Sequence, residues 1–285
     1  MKVYSHIDPD AKLILEKISK YAQQAEAMKL PYWIFVQDSN PIGIVAIGKE
    51  PINLLAPPGT PVAFVNLIDA KRPKEDIEAF ACEALKLATE KNVGYVLATF
   101  PFNESAAISQ FEKLDFKEFD DCYRMVCQLD KTFEPSSGLQ FVQVKKEEMR
   151  KFITLAEKFL EGSPDVTLTE ALKHFPELPD EFLTVYNSLE EFYFVTKDQQ
   201  IVGILNIKTS EGRISNIGVD PQQRGKGYGR QIMLFGLEQL KKNGCRQAFL
   251  RVHVENKPAI HLYESLGFTK AERYRRIIWR EQNVK

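Results

Sequence analysis

Cysteine and histidine are scarce, with four of each in 285 residues. Cys82, Cys122, Cys127 and Cys245 are too few and too scattered for a disulfide framework. With so few histidines and no CxxC pair, no metal site is expected. An apolar run of the ~18 residues that a membrane span needs is also missing, and the opening MKVYSHIDPD is too polar for a signal peptide. Nor does one sign of charge dominate: 38 Lys and Arg face 39 Asp and Glu, a formal net charge of -1. That balance gives no footing for a general nucleic-acid or membrane-surface binder. The expectation is a cytoplasmic protein, monomer or homodimer, with neither nucleic acid nor membrane as partner. What is present is core-forming material: 44% hydrophobic against 27% charged residues, enough for one large domain or two.

Thr132 to Gly138 reads TFEPSSG, a Pro/Ser/Gly stretch between two strongly periodic regions, and marks a domain boundary. The expected domains are 1–134 and 139–285. In the second, Leu139–Val144 reads as a strand. Met149, Phe152, Ile153, Ala156 and Phe159 then lie at helical spacing. Pro164, Pro176 and Pro179 limit 161–181 to short helices. Phe192–Thr196 and Ile201–Lys208 form a hairpin, followed by a strand at Arg213–Val219. A helix at Tyr228–Lys242 ends at Asn243-Gly244. A strand at Ala248–Val254, a helix at Pro258–Leu266 and two strand-like runs, around Phe268 and at Arg276–Trp279, complete the order. The first half repeats it. WIFVQDSNPIGIVAIG (33–48) matches FYFVTKDQQIVGILNI (192–207), with Gly43 standing where Gly203 does. NESAAISQFEKLDF (103–116) matches NKPAIHLYESLGF (256–268). The offsets, about 160 and 152 residues, are those of a tandem duplication.

The strongest local signal runs from Asn216 to Arg230. A strand ends at Val219, Pro221 stops it, and Gly225, Gly227 and Gly229 precede an amphipathic helix. Such glycines take φ > 0 and let the backbone approach a ligand. The unpaired N–H groups of the helix's first turn and the positive end of its dipole then cradle a pyrophosphate. Arg224, Lys226 and Arg230 add counter-charge. A Walker loop would need Ser or Thr after Lys226, where Gly227 stands, and a dinucleotide fingerprint would open a βαβ unit rather than follow antiparallel strands.

On these residues the sequence resembles the GNAT superfamily of N-acetyltransferases. The loop pattern Gln/Arg-x-x-Gly-x-Gly/Ala is met by Gln222, Gly225 and Gly227. The downstream Asn-x-x-Ala…Tyr…Gly-Phe is met by Asn256, Ala259, Tyr263, Gly267 and Phe268. The likeness is specific over about 191–279. It implies an α/β (α+β) architecture of two tandem GNAT-like domains, each a mixed, mostly antiparallel sheet flanked by helices. In the second domain the fourth and fifth strands would splay around acetyl-CoA as cosubstrate. The resemblance assigns the pantetheine arm to Ile217, Gly218 and Val219. The pyrophosphate falls to Gln222, Arg224, Gly225, Lys226, Gly227, Tyr228, Gly229 and Arg230, with further cofactor contacts at Asn256 and Ala259. Tyr263 would sit near the sulfur.

Acyl transfer from a thioester to an amine needs a proton removed from the amine, a donor for the developing oxyanion and a proton for the departing thiolate. Tyr263 can supply the last, although Ile260, Tyr263 and Leu266 also have the spacing of core residues. The family's base Glu is missing: its fifth-strand position holds Arg251 and its fourth-strand position Ser215. His253 is a conceivable base, while Arg251 could clamp an anionic group of the acceptor or be neutralised by an acid such as Glu255. Glu190 and Glu191 read as a solvated charged turn. The first copy has lost the chemistry: Ala70–Asp76 has no glycine, Glu75 and Asp76 would repel phosphate, and Phe111 replaces the tyrosine. The expected function is N-acetyl transfer from acetyl-CoA to a primary amine, small-molecule or peptide, by direct transfer in a ternary complex. The alternative is a CoA- or acyl-CoA-binding module or sensor without turnover.

Overall fold

The computed structural model describes residues 1–11, 14, 18, 22, 23, 25, 26, 28–51, 53–135 and 138–280. Two residues of the expected linker, 136 and 137, and the last five of the expected second domain lie outside them. In chain order the elements are β1 (Lys2–Ser5), β2 (Tyr32–Gln37), β3 (Asn40–Lys49), β4 (Pro61–Leu67), α1 (Lys74–Glu90), β5 (Tyr95–Pro101), α2 (Ser105–Glu112) and β6 (Lys117–Gln128). They continue with β7 (Gln140–Gln143), α3 (Met149–Leu160), α4 (Val166–His174), α5 (Asp180–Leu189), β8 (Glu191–Lys197), β9 (Gln200–Lys208) and β10 (Arg213–Val219). The last are α6 (Tyr228–Lys242), β11 (Gln247–His253), α7 (Lys257–Ser265) and β12 (Thr269–Arg280). The expected strand-like runs at Phe268 and Arg276–Trp279 are thus one strand that begins just past Phe268, whose own side chain is buried.

The chain packs as two compact units, residues 1–121 with 274–285, and residues 122–273. In the first, β1 to β5 follow one another and the outer part of β12 pairs antiparallel to β5, Tyr274 with Pro101 through Arg280 with Tyr95. In the second the order is β7-β8-β9-β10-β11, and β6 pairs antiparallel to β11 from Gln247↔Gln128 to His253↔Cys122. The packing units and the sequence division at 1–134 and 139–285 are therefore different partitions. The later part of each repeat's closing strand, 122–128 of β6 and 274–280 of β12, lies in the other repeat's unit.

The duplication is visible in backbone detail. Both hairpin loops carry two residues at positive φ, Asp38 and Ser39 in one, Asp198 and Gln199 in the other, as tight two-residue turns require. Phe35 pairs with Gly43 as Val195 pairs with Gly203, so the offset is 160 throughout and segment 32–47, one residue earlier than the sequence match, overlies 192–207. A Cβ on Gly43 would lie 2.1 Å from Phe80 of α1, and one on Gly203 2.6 Å from Ile232 of α6. In each unit glycine lets a helix settle on the sheet, and burying Phe80 or Ile232 there is worth roughly 1.5–3 kcal/mol. Helix α6 buries Ile232, Met233, Leu237 and Leu240 on one face, carries Lys241 and Lys242 in its last turn and ends at Gly244, φ +84°. The basic last turn complements the helix dipole.

Candidate active site

The cleft begins as a fault in the sheet. Strand β10 pairs with β9 with a register shift between Ile214 and Asn216, which leaves Ser215 as the extra residue. Such a bulge bends and twists its strand. On the other side of β10, the parallel pairing with β11 is one residue pair long, Arg213↔Phe249. Beyond it, residues 215–219 diverge from β11. Gly218 permits close packing on the far side, where a Cβ would meet Cβ of Phe159 at 2.9 Å and Ile204 at 3.0 Å. Ile217 and Val219 are half-buried against the unit's core.

The loop that follows is braced from within. Asp220 accepts from the Gln222 N–H at 3.1 Å and caps a short turn at Pro221–Gln223. Arg224 donates to the backbone carbonyls of Val219, at 3.3 Å, and Phe159, at 3.0 Å. It therefore holds the loop onto β10 and α3. Lys226 bonds Gln223 Oε1 at 2.7 Å, and Arg230 bonds Ser265 Oγ at 2.9 Å. Gly225 and Gly227 have φ of +80° and +79°, and a Cβ on either would meet nothing within 4 Å. The conformation demands glycine and the space beside it is open. Gly227 is the N-cap of α6 and brings no side chain to its first turn, so those N–H groups point out at the positive end of the helix. These residues fit a pyrophosphate. Tyr228 lies half-buried beneath the Lys197 ammonium, 5.5 Å from the ring centre, and Gly229 packs on Leu262.

Helix α7 is capped by Asn256, whose Oδ1 accepts from the Ala259 N–H at 3.3 Å. The cap uses the Oδ1 of Asn256 and not its Nδ2 group. Tyr263 is 7% exposed, with its ring 5.9 Å from Phe268. Burial pushes its phenol up to about 12, so the group is protonated at neutral pH. His253 Nδ1 accepts from the Glu255 N–H at 3.2 Å. That bond engages Nδ1 with the backbone.

Two carboxylates differ from expectation. Glu190 is no solvated turn residue: its side chain is 8% exposed. It accepts from Arg213 at 2.6 Å, from Ser215 Oγ at 2.8 Å and from Asn206, which is wholly buried and in turn accepts from Asn216 at 2.8 Å. The network spans the bulge and clasps the extra residue. Arg251 is neutralised, but by Asp165 at 2.5 Å and not by Glu255, which pairs with Lys257. Asp165 also caps α4 through the Leu168 N–H. Among the described residues there is no group of three metal-ligating side chains, and no helix is long and apolar enough to cross a membrane.

Residues 156–268 match the family model described as the acetyltransferase (GNAT) family. Mycothiol acetyltransferases of Thermobispora bispora, 48% identical over 59 residues, and Thermomonospora curvata, 37% over 81, share 21% and 27% of this chain. The matched stretches cover 20% and 27% of those proteins. Among solved structures, a GCN5-related N-acetyltransferase from Sphaerobacter thermophilus superposes with TM-score 0.61 at 16% identity, over 87% of this chain and 80% of its own. A tandem GNAT protein from the clavulanic acid biosynthesis pathway superposes with TM-score 0.60 at 14% identity over the whole of both chains. The fold is the tandem GNAT fold, and residues 156–268 are a GNAT-family domain.

Proposed function

We propose that this chain, built around a GNAT-family domain, moves an acetyl group from acetyl-CoA to a primary amine by direct transfer in the second unit. The reading is carried by one observation: the β10–β11 pairing stops after a single residue pair, at a bulge, and opens onto a glycine cradle. When bound, acetyl-CoA supplies the activated acyl group. The N–H groups at the start of α6 hold its pyrophosphate, with Gln222, Lys226 and Arg230 at the rim. The edge of Ile217–Val219 that β11 leaves unpaired would receive the pantetheine amides, and Asn256 Nδ2 would be a donor to the arm. Arg224 acts on the loop rather than on the ligand.

Tyr263 is the proton donor. A phenol raised to about 12 is protonated at neutral pH, and it delivers its proton to the departing sulfur as the C–S bond breaks and the new amide bond forms. His253, already accepting at Nδ1, does not take the amine's proton. The amine enters as its free base, the N–H proton it sheds as the amide bond forms passes to water, and the Tyr263 phenolate regains a proton from solvent, so activity rises with pH as the acceptor deprotonates. The name mycothiol acetyltransferase belongs to relatives that share about a quarter of this chain or less; it supports acetyl transfer and leaves the acceptor open. The test is release of free CoA from acetyl-CoA over a panel of amines. The second reading, a CoA-binding module without turnover, is favoured by the absence of a family-type base Glu at Ser215 and Arg251; it predicts tight acetyl-CoA binding and no CoA release with any amine.

A further inference from the structure

We infer that the acceptor carries an anionic group, carboxylate or phosphate, beside its amine, and that Arg124 of β6 holds it; the inference rests on the transfer reading above. Arg124 stands directly opposite Arg251 in the antiparallel β6–β11 pair. Directly opposed side chains lie on one face about 5 Å apart, and like charges there destabilise the pair. That face is not the core face. Ala248, Leu250 and Val252 are buried on one side of β11, while Phe249, Arg251 and His253 are half-buried on the other.

The two arginines are not equally provided for. Arg251 has Asp165, and Asp165 is also spent on the α4 cap. Arg124 has no carboxylate partner among the described residues; its guanidinium lies over the Phe249 ring, 4.8 Å from the centroid. Arg124 thus sets a guanidinium, without a carboxylate partner among the described residues, directly opposite a second guanidinium on a half-buried surface. A guanidinium held over a ring keeps its in-plane N–H groups for a ligand, and their fork matches a carboxylate or phosphate bidentately.

Position supplies the rest. Phe249 is the last residue of β11 paired to β10 before the cleft opens, and β6 is the next strand over, about 5 Å away. An amine in the cleft and an anion at Arg124 therefore belong to one small molecule, of amino-acid or phosphoamine size. The side chain that selects it lies on the closing strand of the first sequence repeat, which packs in the second unit. A polyamine would meet the uncompensated charge instead of relieving it.

The test compares matched acceptors that differ only in the anion: glycine against glycinamide, and phosphoethanolamine against ethanolamine. Initial rates of CoA release are measured for wild type, Arg124→Gln and Arg124→Lys, with acetyl-CoA affinity by calorimetry. The expected result is a wild-type kcat/KM about tenfold or more higher for the anionic member of one pair. That ratio should collapse toward one in Arg124→Gln through KM and be partly kept in Arg124→Lys. Which pair shows it tells carboxylate from phosphate. No wild-type preference, a preference that survives Arg124→Gln, or loss of acetyl-CoA affinity in that variant overturns the inference. If Arg124→Gln does not fold, the Arg124→Lys and wild-type ratios decide alone. If acetyl-CoA binds and no amine releases CoA, the transfer reading fails separately. Glycine and phosphoethanolamine are then titrated into the acetyl-CoA-saturated protein: binding weakened in either variant upholds the anion site, and equal or absent binding removes it.

Discussion

The two units contain the same parallel strand pair in two conditions. In the first, β4 and β5 are paired over five residues, Val62↔Tyr95 to Asn66↔Thr99. In the second, the equivalent β10 and β11 are paired at Arg213↔Phe249 and then part. The cause lies in a few side chains. The β3–β4 register is continuous, with Ala46 opposite Phe64, where the second unit has Asn206 opposite Asn216 and one extra residue, Ser215. Leu30 stands 160 residues before Glu190, so the carboxylate that gathers Asn206, Ser215 and Arg213 has an apolar counterpart. An apolar, unbulged strand closes on its neighbour, whereas a bulge fastened by a buried carboxylate cannot. The phosphate end differs in parallel: Arg72 pairs with Asp76 at 3.2 Å in the first turn of α1, where Gly227 opens α6. The proposed site needs both the gap and the cradle, and among its described residues the first unit shows neither.

The sharpest way to break this comparison is to count ligands. One acetyl-CoA should bind per chain, and Gly227→Val should abolish the binding heat and the thermal shift that a ligand confers by mass action. A β-branched residue at φ +79° is a backbone outlier and would tilt the first-turn N–H groups out of line. Two equal sites in calorimetry, or unchanged affinity in the variant, would mean that the closed strand pair of the first unit binds after all.

Next in size is the tyrosine. Tyr263→Phe should cost on the order of 10²–10⁴ in kcat, the usual range for general acid help, with acetyl-CoA affinity unaltered. Phe111→Tyr in the first unit should add nothing. Phe111 occupies the same helix end, with Phe116 N–H bonding its carbonyl as Phe268 N–H bonds that of Tyr263, but its ring is enclosed by Phe80, Phe100 and Phe116. A kcat unchanged in Tyr263→Phe would reduce both positions to packing.

Much of this was legible in the residues. Gly225 and Gly227 are unusual enough in sequence that only a positive-φ loop explains them, and the repeat was written in the hairpin and in the paired Gly43 and Gly203. The exchange of β6 and β12 was not legible. Both are 12-residue strands after equivalent helices, and local pattern does not name a pairing partner. Nor was the Arg251–Asp165 pair, because 86 residues separate its members. Glu190 did leave a trace. Asn206 interrupts the apolar run Ile201–Ile207 at the centre of a hairpin, and a buried amide requires partners; the nearest carboxylates before the hairpin are Glu190 and Glu191.

Removing the fastener gives a smaller, structural effect. Glu190→Ala should lower unfolding free energy by about 1.5–3 kcal/mol, the range for bonds to a charged group, with Arg213 partly solvated and so discounted. Asn206 and Ser215 would lose their acceptor, and acetyl-CoA affinity should fall with the order of the cleft. Chemical denaturation and calorimetry on the same variant check both. A variant as stable as wild type, binding equally well, would detach the bulge from the carboxylate.

The smallest effect expected is one of pH, and its sign follows from burial. Tyr263 is raised from 10 to about 12, so folding favours the neutral phenol. Its contribution to stability is full below pH 10, where folded and unfolded states are both protonated, and is lost as pH rises from 10 through about 12. Tyr32 is raised to about 12 as well, so wild type alone would not isolate the group. The difference between wild type and Tyr263→Phe does. Their stabilities should run parallel from pH 6 to 9, and wild type should lose stability relative to the variant above pH 10, where ionising the buried phenol is penalised. The kcat profile of wild type should likewise show no descending limb attributable to a phenol below pH 10. A limb near neutrality that vanishes in Tyr263→Phe would mean a phenol far more acidic than its burial allows, and would place a cation beside it that the first unit's Phe111 never meets.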